Sequence, residues 1–475
     1  MESPDNSDRK SLFIWFAVVF MALAISLFLY VNAANAAEAC LTTKLDANGS
    51  FQWDAVYDSS CVTPALAVDE NSQVFIVQQS AMVRYRSDGS VEWEHAFPVS
   101  TYLTHAFTNA DSDLFVAGSQ RPPEQEGDQI DLARYDSAGN LVWRVNRSVD
   151  SGWLADAELD SADNLFAGAT VTNPDGYMSC IVIKISASGE EEWTASYDIP
   201  DVDCRTRAVA FGPEGILLLV ANVRDGENSV TLQLDSDGGE VWSAEESGFD
   251  VRDVAAGGDG KVLVAGVKNG SFHLIAYDAV GVVEWTADWI GPGGLFSDQP
   301  IAVGLDSNGN AVVTGVFYDY ESDSPGFATI KYTPDGEEEW VLLLAGSSDY
   351  EPGGMSIDSD DNILVGGTQY MEVLPPNYFV VVKWGSAGSE LWETYHSGSN
   401  SDPRAFSAMA IDAAGSVYLT GEVDVLDDDT GSDDDTIIDD DSSSDDDTFV
   451  DDDTSDDDDQ SSTDDDDSDS AGCGC

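Results

Sequence analysis

The sequence predicts an all-β protein, a closed ring of eight four-stranded antiparallel sheets, on three observations. Eight segments end in Trp with Gly four residues earlier. A second kind of segment alternates with the first, also eight times. The repeats open on the first kind and finish on the second, so neither end makes a whole sheet alone.

The first kind runs KLDANGSFQW, RYRSDGSVEW, RYDSAGNLVW, KISASGEEEW, QLDSDGGEVW, AYDAVGVVEW, KYTPDGEEEW and KWGSAGSELW. These end at Trp53, Trp93, Trp143, Trp193, Trp242, Trp285, Trp340 and Trp392, spaced by 40 to 55 residues. The second kind includes ALAVDENSQVFIV, AVGLDSNGNAVVTG and MAIDAAGSVYLTG. In both, short runs of Val, Ile, Leu and Tyr flank an Asp/Asn/Ser/Gly cluster, which reads as a hairpin. Two hairpins make one blade of about 50 residues. We name the strands of the second kind A and B (inner) and those of the Trp kind C and D (outer). Joining the last A–B hairpin, near 406–422, to the first C–D hairpin, at 40–55, closes the ring and removes two exposed sheet edges. The expectation is therefore an eight-bladed β-propeller, with seven as the count if a blade is degenerate. The repeat at 206–245 is the least regular.

The Trp of strand D is expected to cover the gap between neighbouring blades, burying roughly 150–250 Å². The Gly before it suits a positive-φ turn position. A packing role is preferred to sugar stacking because the position recurs in every blade. Trp289 and Trp384 lie off this repeat and are freer to bind.

Asp306, Asn308 and Asn310 alternate as a calcium loop would begin, but Ala311 and Phe317 stand where an EF-hand needs Gly and Glu. They are read as an A–B turn. Asp358, Asp360 and Asn362 lie in the cluster DSDDN and are the weak calcium candidates. No other cofactor is expected.

Six Cys suggest disulfides in an exported chain. Cys40 and Cys180 open equivalent C strands, and Cys61 and Cys204 precede equivalent A strands. Each pair brackets one C–D hairpin and can meet across its open end, so Cys40–Cys61 and Cys180–Cys204 are expected. Cys473 and Cys475 end the chain as SAGCGC, for mutual pairing, an interchain bond or an attachment.

Residues 1–37 read as a signal peptide or an N-terminal membrane anchor. Arg9 and Lys10 precede the apolar run from Leu12 to Val31, and Ala34-Asn35-Ala36 and Ala37-Glu38-Ala39 are candidate cleavage sites. The small residues favour cleavage, and export follows on either reading. No later segment is apolar enough to span a membrane. Residues 38–423 form the propeller, and 424–475 form a disordered Asp-rich tail, read as a spacer with weak cation affinity. The net charge is −71, and with 25 Asp from Asp424 onward the body still carries −46. That field repels nucleic acid and anionic lipid. Membrane contact is expected only through the N-terminal segment or a C-terminal Cys.

FATIKYTPDGEEEW followed by DYEPGGMSIDSDDNILVGG resembles the bacterial surface β-propeller repeats called SBBP repeats. The resemblance covers roughly 40–422 and implies an exported or surface protein with no shared catalytic residues. The family name implies seven blades, against the eight counted here. The D-x-x-G-x-x-x-W element also resembles the Trp-docking motif of quinoprotein dehydrogenases, which are eight-bladed. That likeness implies a quinone site with a vicinal Cys-Cys pair and acidic calcium ligands, and this chain has no adjacent Cys. The Asp-rich, Cys-ending terminus resembles those of myxobacterial-type surface proteins, without their hydrophobic segment and Arg cluster.

His95, His105, His273 and His396 show no metal-ligand spacing, and G-x-S-x-G, H-E-x-x-H and P-loop motifs are absent from the sequence. The Glu190–Glu192 and Glu337–Glu339 triplets fall on strand D and read as a solvated outer face. The expectation is a non-enzymatic, surface-displayed binding or structural protein whose partner is a protein or a glycan. The alternative is an exported quinoprotein-like or glycan-acting enzyme with a site at the ring's centre. Variable B–C and D–A loops share one face, and variable loops on a rigid scaffold are where recognition usually lies. Trp289, Tyr318, Tyr320 and Tyr370 are the candidate contacts there.

Overall fold

The computed structural model describes residues 37–425 apart from short loop stretches, of which 122–126, 295–297, 320–322 and 372–375 belong to the B–C and D–A connections. The expected signal segment apart from Ala37, the expected tail apart from Asp424 and Val425, and Tyr320 lie outside the described residues, as do Cys473 and Cys475 in that tail; Ala37 opens the first strand and Asp424 and Val425 end the last. Eight four-stranded antiparallel sheets form the ring of a β-propeller. Blades 1 to 7 span 65–96, 101–149, 152–197, 204–247, 249–289, 299–344 and 349–396. Blade 8 is composite. Its inner strands, Ser401–Ile411 and Val417–Val425, pair with the first strands of the chain, Ala37–Leu45 and Phe51–Tyr57. Leu41 lies opposite Gly421 in that closing ladder.

Burial follows position in the blade. Strands B and C are covered by a neighbouring blade on both faces, so their apolar runs do not alternate: Leu114, Phe115, Val116 and Ala117 of blade 2 are all fully buried. The outer strand D is open to solvent, and in blade 4 it alternates from Val241 to Ser247. Each core lies between blades rather than within one. Phe272 and Leu274 of blade 5, for example, share a cluster with Val313, Phe317 and Ile330 of blade 6.

The Gly–Trp spacing has a precise mechanical meaning. In all eight blades the Gly takes φ between +78° and +87°, and the indole that reaches it comes from the preceding blade. A Cβ on these glycines would come within 2.6–3.1 Å of that ring. The indole nitrogen then donates to a carbonyl of the same turn, as from Trp53 to Ser87 at 3.0 Å and from Trp285 to Pro334 at 2.9 Å. Trp242, in the least regular repeat, is the exception: its Nε1 is buried without an acceptor.

The residue that opens most of these segments, Lys or Arg, sits across the C–D ladder from the Trp, as Lys331 does from Trp340. Lys331 donates to the carbonyl of Ser386 at 3.0 Å, which also accepts from Trp340 at 3.3 Å. It pairs with Asp306 at 2.8 Å, both side chains being buried. Asp306 Oδ1 accepts the backbone N–H groups of Asn308 and Asn310, both at 2.9 Å. The DSNGN loop is thus an Asx turn pinned by a buried lysine. Lys383 and Asp358 repeat the arrangement at 2.8 Å.

Two disulfides join Cys40 to Cys61 and Cys180 to Cys204, with Cα separations of 5.1 and 5.4 Å. Cys61 precedes blade 1 and Cys204 opens blade 4, so the bridges tie blade 8 to blade 1 and blade 3 to blade 4.

Candidate functional site

The innermost strand of each blade has a free edge towards the axis, and its backbone N–H groups need partners other than a strand. In several blades the preceding blade supplies them from side chains. Ser119 Oγ accepts from Leu154 N at 2.6 Å, Thr170 Oγ1 from Thr206 N at 3.0 Å, and Asn222 Oδ1 from Val251 N at 2.9 Å. Asp156 and Asp253 perform the same service one step deeper, accepting from Val209 and Val303, both at 2.8 Å. These bonds set consecutive inner strands in matching register.

Seven of the eight inner strands also carry a bulge at an equivalent place, between Thr206 and Ala208 in blade 4 and between Val251 and Asp253 in blade 5. A bulge re-aims a side chain at a rim. The inserted residues are Thr104, Ala155, Arg207, Arg252, Ile301, Gly353 and Arg404. Two places before each lie Tyr102, Trp153, Arg205, Asp250, Gln299, Glu351 and Asp402. All stand where the inner strands begin, on the face of the B–C and D–A loops.

This mouth is chemically polarised. Over blades 2 to 5 it presents Tyr102, 46% exposed, Trp153, 38% exposed, and then Arg205, Arg207 and Arg252. Arg252 donates to Asp250 Oδ2 at 2.7 Å, while its Nε is buried without an acceptor. Arg207 lies 3.7 Å from Asp250 Oδ1, an oxygen that already accepts from Asn222. Burial lowers the affinity of Arg207 for its proton; Asp250 opposes this, and Arg252 and Arg205 add to it. Over blades 7 and 8 the mouth carries Glu351, Asp402, Glu422 and Asp424. There Arg404 is fully engaged, at 2.9 Å from Asp424 and 3.2 Å from both Glu38 and Glu422.

Deeper in the channel His105, Asp156 and Asp253 are engaged. His105 Nε2 lies 3.1 Å from Asp156 Oδ1, and Thr104 Oγ1 lies 2.9 Å from the other ring nitrogen. Burial pushes Asp253 up to about 7 against its two backbone hydrogen bonds. Burial, followed by the charges of Asp156 and Asp253, pushes Glu158 up to about 8. A cavity of about 410 Å³ opens over blade 1, whose inner strand has only four residues, and Leu66, Phe107, Phe406 and Glu422 line it.

The expected contact residues fall differently. Trp289 is 8% exposed and packs between Phe272 and Phe317, so it belongs to the core between blades 5 and 6 and cannot reach a ligand. Trp384 is likewise buried. Tyr318 is half-buried and donates to Asp323 at 2.5 Å. The Tyr370 hydroxyl bridges blade 7 to blade 8, with the Arg404 carbonyl at 3.0 Å and Glu351 at 3.1 Å as acceptors for its one proton. Burial and Glu351 push it up to about 12. Asp358 Oδ1 accepts from Asp360 N and Asn362 N, both at 2.9 Å, and its Oδ2 faces Lys383. Among the described residues no group of three metal-ligating side chains forms.

Sequence reasoning missed Tyr102, Trp153 and the three arginines. Their signal was positional. Tyr102, Trp153 and Arg205 stand at the start of strand A, where the other bulged blades carry Asp, Gln or Glu, and Arg207 and Arg252 are the inserted residues of their bulges.

Fold and mouth together define a closed eight-bladed β-propeller with one two-toned face. No protein-family description matches the chain, and no curated protein does. Solved structures resemble it. The Dos1 propeller is 10% identical with a TM-score of 0.47, over 75% of this chain and 91% of that one. A streptogramin B lyase is 12% identical with a TM-score of 0.42, over 69% and 94%. A protein from Lactobacillus plantarum is 12% identical with a TM-score of 0.44, over 75% and 96%. The likeness is one of architecture.

Proposed function

We propose that the chain is an exported, surface-displayed β-propeller of the SBBP-repeat type that binds a partner non-enzymatically through the mouth on its B–C and D–A face. One observation carries this reading. On that mouth, among the described residues, Arg207 has only a 3.7 Å contact with an already occupied carboxylate oxygen. Asp156 and Asp253 behind it accept hydrogen bonds that brace one blade against the next. The first set is available to a ligand, and the second holds the wheel together. The two disulfides support maturation in an oxidising compartment outside the cytoplasm.

The test is retention of cell-envelope material on the immobilised full chain, compared with the Trp153→Ala/Arg207→Ala variant. The reading expects a component held by the wild type and released by the variant. Identical retention would remove the mouth as the binding surface. An absorbance change on adding quinone and calcium would move the assignment to the enzymatic alternative.

A further inference from the structure

We infer that the mouth of blades 2 to 5 is a subsite for an acidic oligosaccharide, with pyranose faces on Tyr102 and Trp153 and a carboxylate on Arg207 and Arg252. The inference deepens the binding reading above and rests on it.

Three observations converge. First, Tyr102, Trp153 and Arg205 occupy one register position on three consecutive blades, opposite Ser119, Thr170 and Asn222 of their own B strands. The bonds from Leu154 N to Ser119 and from Thr206 N to Thr170 hold those strands level. The aromatics and the first arginine therefore form a row along the rim. Second, the aromatics are exposed, whereas the Trp of every C–D hairpin is docked on a neighbouring glycine. A large exposed aromatic on a rigid strand offers an apolar face at low entropic cost, with polar groups beside it. Third, among the described residues Arg207 and Arg252 share one carboxylate, that of Asp250, in a chain of net charge −71. Keeping like charges adjacent is costly, and a bound carboxylate relieves that cost through charge-assisted, bidentate hydrogen bonds.

The acidic body does not forbid such a ligand. At physiological ionic strength charges more than about 8 Å apart are largely screened, so contact chemistry at the rim decides. A long nucleic acid would also meet the acidic arc of blades 7 and 8, whereas a short saccharide spans only the aromatic and basic arc.

The experiment is calorimetric titration of the full chain with tetragalacturonate, maltotetraose and tetraglutamate. The expected result is that tetragalacturonate binds at least about tenfold tighter than either of the others. Arg207→Ala then abolishes the preference over maltotetraose, and Trp153→Ala weakens both saccharides, whereas Trp153→Phe and Tyr318→Ala bind as wild type does. Circular dichroism melts of each variant exclude unfolding as the cause. Equal affinity for maltotetraose or tetraglutamate would overturn the inference, as would full acid preference in Arg207→Ala. If no oligosaccharide binds while Trp153→Ala/Arg207→Ala still loses envelope material, the saccharide inference falls and the binding reading stands.

Discussion

Trp392 of blade 7 lays its indole on Gly49 of blade 8 and donates from Nε1 to the carbonyl of Ala47 at 3.1 Å, across 345 residues of chain. The docking of indole on glycine repeats between all neighbouring blades, yet here it joins the last complete blade to the first hairpin of the chain. Ring closure thus uses the same joint as the interior of the ring, with the composite sheet as a second tie.

That joint makes glycine substitution site-specific. In Gly49→Ala the new Cβ would come 2.7 Å from the Trp392 ring at a φ of +78°, combining overpacking with backbone strain for about 3 kcal/mol. Gly176 has a similar φ of +89° and nothing within 4 Å of the added Cβ, so Gly176→Ala should cost only about 1 kcal/mol. Denaturant unfolding of the two variants checks this. Equal losses would show that docking adds nothing to the turn's own strain.

The Cys40–Cys61 bridge closes a loop of 21 residues in sequence separation and pins the strands that complete the ring. Replacing both cysteines with serine should lower stability by about 3 kcal/mol. A reducing agent should lower the melting temperature of the wild type towards that of a variant lacking both bridges and leave that variant unmoved.

Lys331 is buried beneath its turn and is paired with the fully buried Asp306 side chain. Lys331→Met would strand that carboxylate and cost about 3–5 kcal/mol. Adding Asp306→Asn removes the stranded charge, so the double variant should be more stable than Lys331→Met alone. A double-mutant cycle measured by chemical denaturation reads the coupling, and strict additivity of the two changes would refute it.

Glu158 sets a pH dependence. Its carboxyl titrates at about 8 in the folded protein, from an ordinary value of 4.5. Between those values the folded protein keeps a proton that the unfolded chain has released, so stability falls as pH rises. The contribution is whole below about pH 4.5 and gone once the pH passes about 8. Glu158→Gln should flatten this part of the curve and be more stable than wild type at pH 8 by at least about 1 kcal/mol. Parallel melting curves from pH 5 to 8 would contradict the assignment.

The wheel was readable without coordinates because its signals are local and repeated. A run such as VLVAG beside an Asx turn becomes a strand in any blade, and eight copies of Gly-x-x-x-Trp make a count. The cysteine pairs were readable for the same reason, since equivalent repeat positions are equivalent places in space. The opening Lys or Arg of those segments was visible too, but its task was hidden because its partners lie in other hairpins: Asp306 in an earlier turn and Ser386 in the next blade.

The sequence by itself determined strand order, blade number, closure and disulfide pairing, all of which follow from periodic patterning along the chain. Only the tertiary structure decided which aromatics are free. Trp289 looks unattached on the chain, yet it is sealed between two blades. Trp153 opens an ordinary inner strand, yet it stands exposed at the rim beside Arg205. Exposure depends on what the neighbouring blade brings up against a side chain, and those neighbours lie roughly 50 residues away along the chain, one blade repeat. No local pattern carries that information.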